Sequence, residues 1–183
     1  CVRLMAEGEV LFFGRSPESI TEEDCLQLAR QKTASLFAEA CSAPAYTQDG
    51  THAEALYAFG LNLGIAFQIV DDLLDLTQTG EKLGKPACGD VAEGKVTLPI
   101  LYMRREMPAR EIARLEGMAG KDLSAADQEW VRMRFVDTGA RQQVEDRIAQ
   151  YSQLALAQLK FLPPSVHRES MEGLVELLSN RSH

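Results

Sequence analysis

An all-α fold follows from three features of this 183-residue chain. Apolar residues recur at helical spacing along its length, alternating strand patterns are nearly absent, and Pro or Gly punctuates the ends of the periodic runs. Its composition, 45% hydrophobic and 25% charged, is that of a globular protein able to bury roughly 70% of its unfolded surface. One all-α domain over residues 1–183 is the expected organisation.

The opening segment CVRLMAEGEV has helical spacing and reads as the end of a helix, and Ser16-Pro17 breaks the pattern. Thr21 with Asp24 three residues on forms a variant capping box. A helix over about 22–43 comes next, with Leu26, Leu28, Ala29, Thr33, Leu36, Phe37 and Ala40 turned inward and Pro44 as its stop. A second long helix, over about 50–76, is apolar nearly all round and belongs in the interior. Residues 77–95 are rich in glycine and polar residues, which predicts a long functional or mobile loop. Thr97-Leu98-Pro99 opens another helix, with Pro in its first turn. The remainder reads as helices over about 109–117, 124–136, 139–161 and 165–179.

Charge and cysteines narrow the function classes. A net charge of −8 disfavours nucleic-acid binding, which needs clustered Lys and Arg. Cys1, Cys25, Cys41 and Cys88 form no C-x-x-C pair and only three histidines are present, so a zinc site is not expected. Reduced structural thiols in a cytoplasmic protein are. The longest apolar run, Ala55 to Val70, is shorter than a bilayer span and ends at two aspartates, which predicts a buried helix rather than a transmembrane one.

The chemistry concentrates in FQIVDDLLD. At 100° per residue, Gly60, Gly64, Gln68, Asp71 and Asp75 share a stripe about 80° wide, with Asp72 beyond its edge. The glycines are expected to keep that stripe open. Carboxylates one turn apart repel, and burying them unpaired is costly. They can be protonated, paired with Lys or Arg, or bound to a hard divalent cation such as Mg2+. They can also be a solvated acidic helix end. Nearby residues favour the cation: Lys82, Lys85 and Lys95 lie beyond in the glycine-rich loop, and Lys32-Thr33 lies within the preceding helix. That set suits a Mg2+-chelated diphosphate clamped by lysines. An aspartyl phosphotransferase would want a strand ending in D-x-D, and a calcium loop would want alternating oxygen ligands and a closing Glu. Neither pattern is present.

GIAFQIVDDLLDLT, together with LGKPACGDVAEGKVTLPIL downstream, resembles the C-terminal half of the trans-type isoprenyl (polyprenyl) diphosphate synthases. So do ITEEDCLQLARQKTASLFAEAC and EGEV; Cys25 stands where a tyrosine is usual and Pro44 where a glycine is usual. The resemblance implies a helical-bundle, Mg2+-dependent prenyltransferase that adds isopentenyl diphosphate to an allylic diphosphate. It implies Asp71, Asp72 and Asp75 as metal ligands, with Asp71 the main one. Lys32, Gln68, Lys85 and Lys95 would bind substrate. Lys32, Thr33 and Gln68 would serve catalysis, placing negative dipole ends beside the carbocation. The family's first aspartate motif has no counterpart here, so the chain is expected to be a C-terminal portion, with little activity alone and a missing N-terminal half or a homodimer partner. A non-catalytic partner subunit and a metal-dependent terpene cyclase are the alternatives; the lysine-threonine and Gly-Lys motifs favour the synthase.

Overall fold

The computed structural model describes residues 2–12, 15–78 and 87–181. Every regular element among them is helical. In chain order they are α1 (Val2–Phe12), a 3-10 turn (Pro17–Ser19), α2 (Glu22–Ala29), a π-turn (Arg30–Ala34) and α3 (Ser35–Tyr46). Then come α4 (Ala53–Thr77), α5 (Gly89–Ala92), α6 (Leu98–Glu106), α7 (Ala109–Glu116), α8 (Ala125–Asp137), α9 (Ala140–Leu159) and α10 (Val166–Asn180). They fall into two compact units: residues 1–15, 26–70 and 146–183 form one, and residues 16–25 and 71–145 the other.

The first unit is built on a close helix crossing. A Cβ at Gly60 would lie 2.4 Å from the Phe37 carbonyl oxygen, and one at Gly64 would lie 2.5 Å from Ala34 Cα. The two glycines, one turn apart, therefore let the backbone of α3 rest directly on α4. This corrects the expectation that they keep a stripe open. Phe59, Ile65, Ala66 and Ile69 of α4 are buried here, with Ala34 and Ala38, and with Ile148, Leu159 and Val175 from the later helices.

The long helix expected over 22–43 is interrupted. Residues Arg30–Ala34 form a π-turn, in which the Ser35 amide reaches back five residues to the Arg30 carbonyl. The extra residue rotates everything after it. Ala34, Ser35, Ala38 and Ser42 face inward, while Leu36 is 52% exposed and Ala40 is exposed. A uniform 3.6-residue period places Leu36 and Ala40 inside, and the π-turn is why it fails for them. Pro44 does not stop α3 either: it sits near the end, costs one backbone bond, and the helix runs to Tyr46. Thr47 is its C-cap, and beyond the following turn the Gly50 amide, at φ 75, bonds back to the Ala45 carbonyl at 3.0 Å.

In the second unit Leu73, Leu76, Leu98, Met103, Val131, Phe135 and Val144 form the core. The Thr21–Asp24 capping box is present: Thr21 N–H donates to Asp24 Oδ2 at 2.9 Å, and Asp24 N–H donates to Thr21 Oγ1 at 3.2 Å. Ser124 caps α8 by accepting from the Asp127 amide. The expected loop over 77–95 is partly helical, because α5 forms within it; residues 79–86 lie outside the described structure.

Helix α4 is 25 residues long and by length and composition alone could cross a membrane, with half of its apolar window buried in the fold. The apolar run from Ala55 to Val70 is too short to span, but the helix that contains it continues through the aspartates to Thr77.

The crossing gives a paired test of stability. Gly60→Ala should lower the urea midpoint, with a cost of about 1–3 kcal/mol from overpacking against backbone. Gly173→Ala, where nothing lies within 4 Å of the added carbon, should raise stability by about 0.5–1 kcal/mol through helix propensity. Equal effects at the two sites would contradict the crossing.

Candidate functional site

The π-turn carries both Lys32 and Thr33. Antiparallel packing at the glycines sets Ala34 over Gly64, and one turn further along α4 Thr33 meets Gln68. Thr33 Oγ1 donates to Gln68 Oε1 at 2.5 Å. The bond spends the hydroxyl hydrogen and leaves lone pairs on Thr33 Oγ1. It also fixes the Gln68 side chain by its amide oxygen, which keeps a second lone pair. Lys32 is half-buried. Ser35 Oγ donates to the Gln31 carbonyl at 2.8 Å, and so bonds a carbonyl of the π-turn. Sequence reasoning missed Ser35, since a buried serine in a helix looks like any small residue there.

The three aspartates, all in the second unit, differ sharply in surroundings. Asp71 is exposed, and among the described residues no hydrogen bond or ion pair engages it. Asp72 is half-buried. Asp75 is 4% exposed, and its Oδ2 accepts the Asp90 amide at 3.0 Å. Its carbonyl accepts the Cys88 amide at 2.8 Å. A Cβ at Gly89 would lie 3.2 Å from Asp75 Oδ1, so glycine leaves room for the carboxylate. Cys88 itself takes the left-handed conformation at φ 56, a strain of about 1–2 kcal/mol for a non-glycine residue that these two bonds help to hold. The role of the Asp90 amide was illegible in sequence, because a backbone donor has no side-chain signature.

Lys95 is exposed and paired with Glu93. Lys85 lies outside the described residues, as does Lys82. Among the described residues, no three Asp, Glu, His or Cys side chains gather on one point. The oxygen-only donors of the D-D-x-x-D stretch nevertheless fit a hard cation such as Mg2+. Asp71 offers an open carboxylate for it, with Asp72 beside it, whereas one oxygen of Asp75 is already committed to the Asp90 amide.

The thiols of this unit are chemically quiet. Burial, and then the charge of Asp72, push the Cys25 thiol from 9.0 to about 12; its Sγ lies 3.4 Å from the Val96 carbonyl. Burial, and then Asp75, push Cys88 to about 11. Both pKa values are raised in the fold, so their contribution to stability is full below the unfolded value near 9 and is lost as pH rises through the folded values. Stability should therefore fall from about pH 9 upward, and Cys25→Ser should make the decline shallower. Urea midpoints measured across that range check it; an unchanged slope in the variant would show that other groups cause the decline.

Comparison with known proteins adds the family. The polyprenyl synthetase family model matches residues 1–132. A prenyl transferase of Synechocystis sp. is 36% identical over 188 residues, covering 100% of this chain and 56% of its own length. The crystal structure of a polyprenyl synthase from Caulobacter crescentus, complexed with calcium and isoprenyl diphosphate, superposes with a TM-score of 0.88 at 38% identity, over 99% of this chain and 56% of that one. A geranylgeranyl pyrophosphate synthase from Corynebacterium glutamicum, complexed with isoprenyl diphosphate and magnesium, gives a TM-score of 0.82 at 27% identity, over 98% and 53%. The chain spans about half the length of the curated relatives it matches. With a matching family model over residues 1–132 and helical relatives along its whole length, the chain belongs to the polyprenyl synthetase family.

Proposed function

We propose that this chain supplies the second aspartate-rich half of a trans-type prenyltransferase site, which joins isopentenyl diphosphate to an allylic diphosphate. The observation that carries the reading is the Thr33–Gln68 hydrogen bond, fixed in a π-turn, with the exposed Asp71 three residues beyond Gln68 on the same helix. Mg2+, when bound, would neutralise charge developing on the departing diphosphate. The two relatives crystallised with isoprenyl diphosphate, one with calcium and one with magnesium, support both ligand classes.

The chain's own residues have distinct tasks in this reading. Asp71 holds the cation, with Asp72 beside it, and Asp75 keeps the helix end and α5 in register. Lys32 and Lys85 bind diphosphate oxygens, with Gln68 and Lys95 as further substrate contacts. In the reaction the allylic C–O bond breaks and the diphosphate leaves with the electron pair. The isopentenyl double bond attacks the cation, forming the new C–C bond. A proton then leaves the adjacent carbon for the released diphosphate, which restores a double bond. The lone pairs on Thr33 Oγ1 face a positive charge better than a hydroxyl hydrogen would, and the bond to Gln68 enforces that orientation. A homodimer in the cytoplasm, with residues 1–183 as the C-terminal half of the synthase domain, completes the reading.

In enzyme that catalyses the condensation, Asp71→Ala should lower kcat/KM by about two to three orders of magnitude, the scale for losing a principal charge-stabilising element. Asp72→Ala should cost less. Steady-state condensation assays with an allylic primer compare the two, and equal losses would show that exposure does not rank the ligands. Purified protein of this sequence alone should turn over poorly; wild-type-like rates from it would show that the site needs no further ligands.

A further inference from the structure

Gly8 lies in the middle of α1, where glycine costs about 1 kcal/mol relative to alanine. It is buried, and a Cβ there would sit 2.8 Å from Gln31 Cβ and 3.3 Å from the Lys32 amide nitrogen. Neither atom is the free end of a flexible side chain, so α1 or the π-turn would have to move. Further along the same turn, Gly64 of α4 meets Ala34 Cα with no Cβ of its own. Two Cβ-free backbones from different helices thus touch one π-turn. At its end Ser35, itself buried, supplies the amide bond to Arg30 and the hydroxyl bond to the Gln31 carbonyl. Gln31 Oε1 is buried without a hydrogen-bond partner among the described residues. The Gln31 amide oxygen therefore gains nothing polar there, and the side-chain stem is the part that meets Gly8.

A π-turn has poorer geometry than an α-turn and persists where its surroundings hold it. Relaxing it to α-helix removes one residue from the turn and rotates α2 against α3 by about 100°. Thr33 would then leave Gln68. We propose that Gly8 and Ser35 are positioning residues for the Lys32–Thr33 pair, acting through the π-turn. Gly8 admits the turn and the Ser35 hydroxyl bonds the Gln31 carbonyl within it. Placement of Thr33 on Gln68 is independent of the proposed function; the consequence for ligand binding rests on it.

The test compares Gly8→Ala and Ser35→Ala with the parent protein. One readout is spectroscopic: the Gln68 side-chain amide resonance and the exchange protection of the Ser35 amide. The other is calorimetric binding of inorganic pyrophosphate with Mg2+. Both variants should shift the Gln68 resonance, lower Ser35 protection and weaken pyrophosphate binding about tenfold, the scale of one hydrogen bond to a charged group. Val175 of α10 should report no change. Adding Gln31→Gly to Gly8→Ala removes the atom that the new methyl meets and should restore both readouts, whereas adding Gln31→Ala should not. If Gly8→Ala fails to fold, Ser35→Ala decides, since it removes a single oxygen. An unchanged Gln68 resonance and Ser35 protection in Ser35→Ala overturns the proposal, as does equal rescue by Gln31→Gly and Gln31→Ala. Spectroscopic shifts in a protein whose parent does not bind pyrophosphate would uphold the positioning role and sink the functional reading instead.

Discussion

The backbone of α3 rests on the backbone of α4 at Gly60 and Gly64, and the placement of Lys32 and Thr33 depends on that approach. Any side chain at either glycine would push against carbonyl and Cα atoms rather than against movable side chains. Two glycines inside a 25-residue helix weaken its intrinsic propensity. Burial of the apolar residues around them outweighs the loss, since tertiary packing dominates helix stability. The approach sets the register between the two helices, so Thr33 reaches Gln68. Phe37 and Phe67, with ring centroids 5.3 Å apart, pack beside the crossing and add to its specificity.

The second unit solves a different problem, which is how to hold an acidic side chain in a core. Asp75 is almost fully buried, and it is bonded through both its carboxylate and its carbonyl to the residues around α5. A charged acceptor bonded to an amide is stronger than a neutral pair and offsets part of the desolvation cost. Asp71 meets no such constraint and stays at the surface. Three carboxylates within five residues thus divide by exposure, with the outermost left available and the innermost committed to the fold.

Much of this was legible in the sequence, and the failures have a common origin. Helix existence followed from periodicity, and the boundaries after Thr97 fell within about two residues because Ser, Pro and Gly mark them chemically. Thr33 and Gln68 were named together, and the structure joins them. The π-turn was invisible, since one extra residue leaves no compositional trace, and it carried Leu36 and Ala40 to the surface against a uniform period. The roles of Gly60 and Gly64 were misread for a related reason. A missing side chain looks the same in sequence whether it admits a ligand or another backbone, and only the neighbour decides. The amide on Asp75 belongs to the same class of backbone interaction.

The charge balance closes the physical account of the proposed site. A chain carrying −8 repels a diphosphate as a whole, and Asp71 and Asp72 repel it locally. Screening by salt weakens the long-range part, with a Debye length of about 8 Å at physiological ionic strength, but leaves contact repulsion intact. Lys95 is already paired with Glu93 at the surface, which lowers the positive charge it can offer. The same carboxylates attract a divalent cation, and a cation bound there reverses the sign that an approaching diphosphate meets. On the proposed reading the acidic cluster and the anionic substrate are therefore compatible only through the metal. That dependence would let an acidic protein bind a polyanion, and on the same reading the availability of Asp71, rather than the burial of Asp75, is the feature on which ligand binding turns.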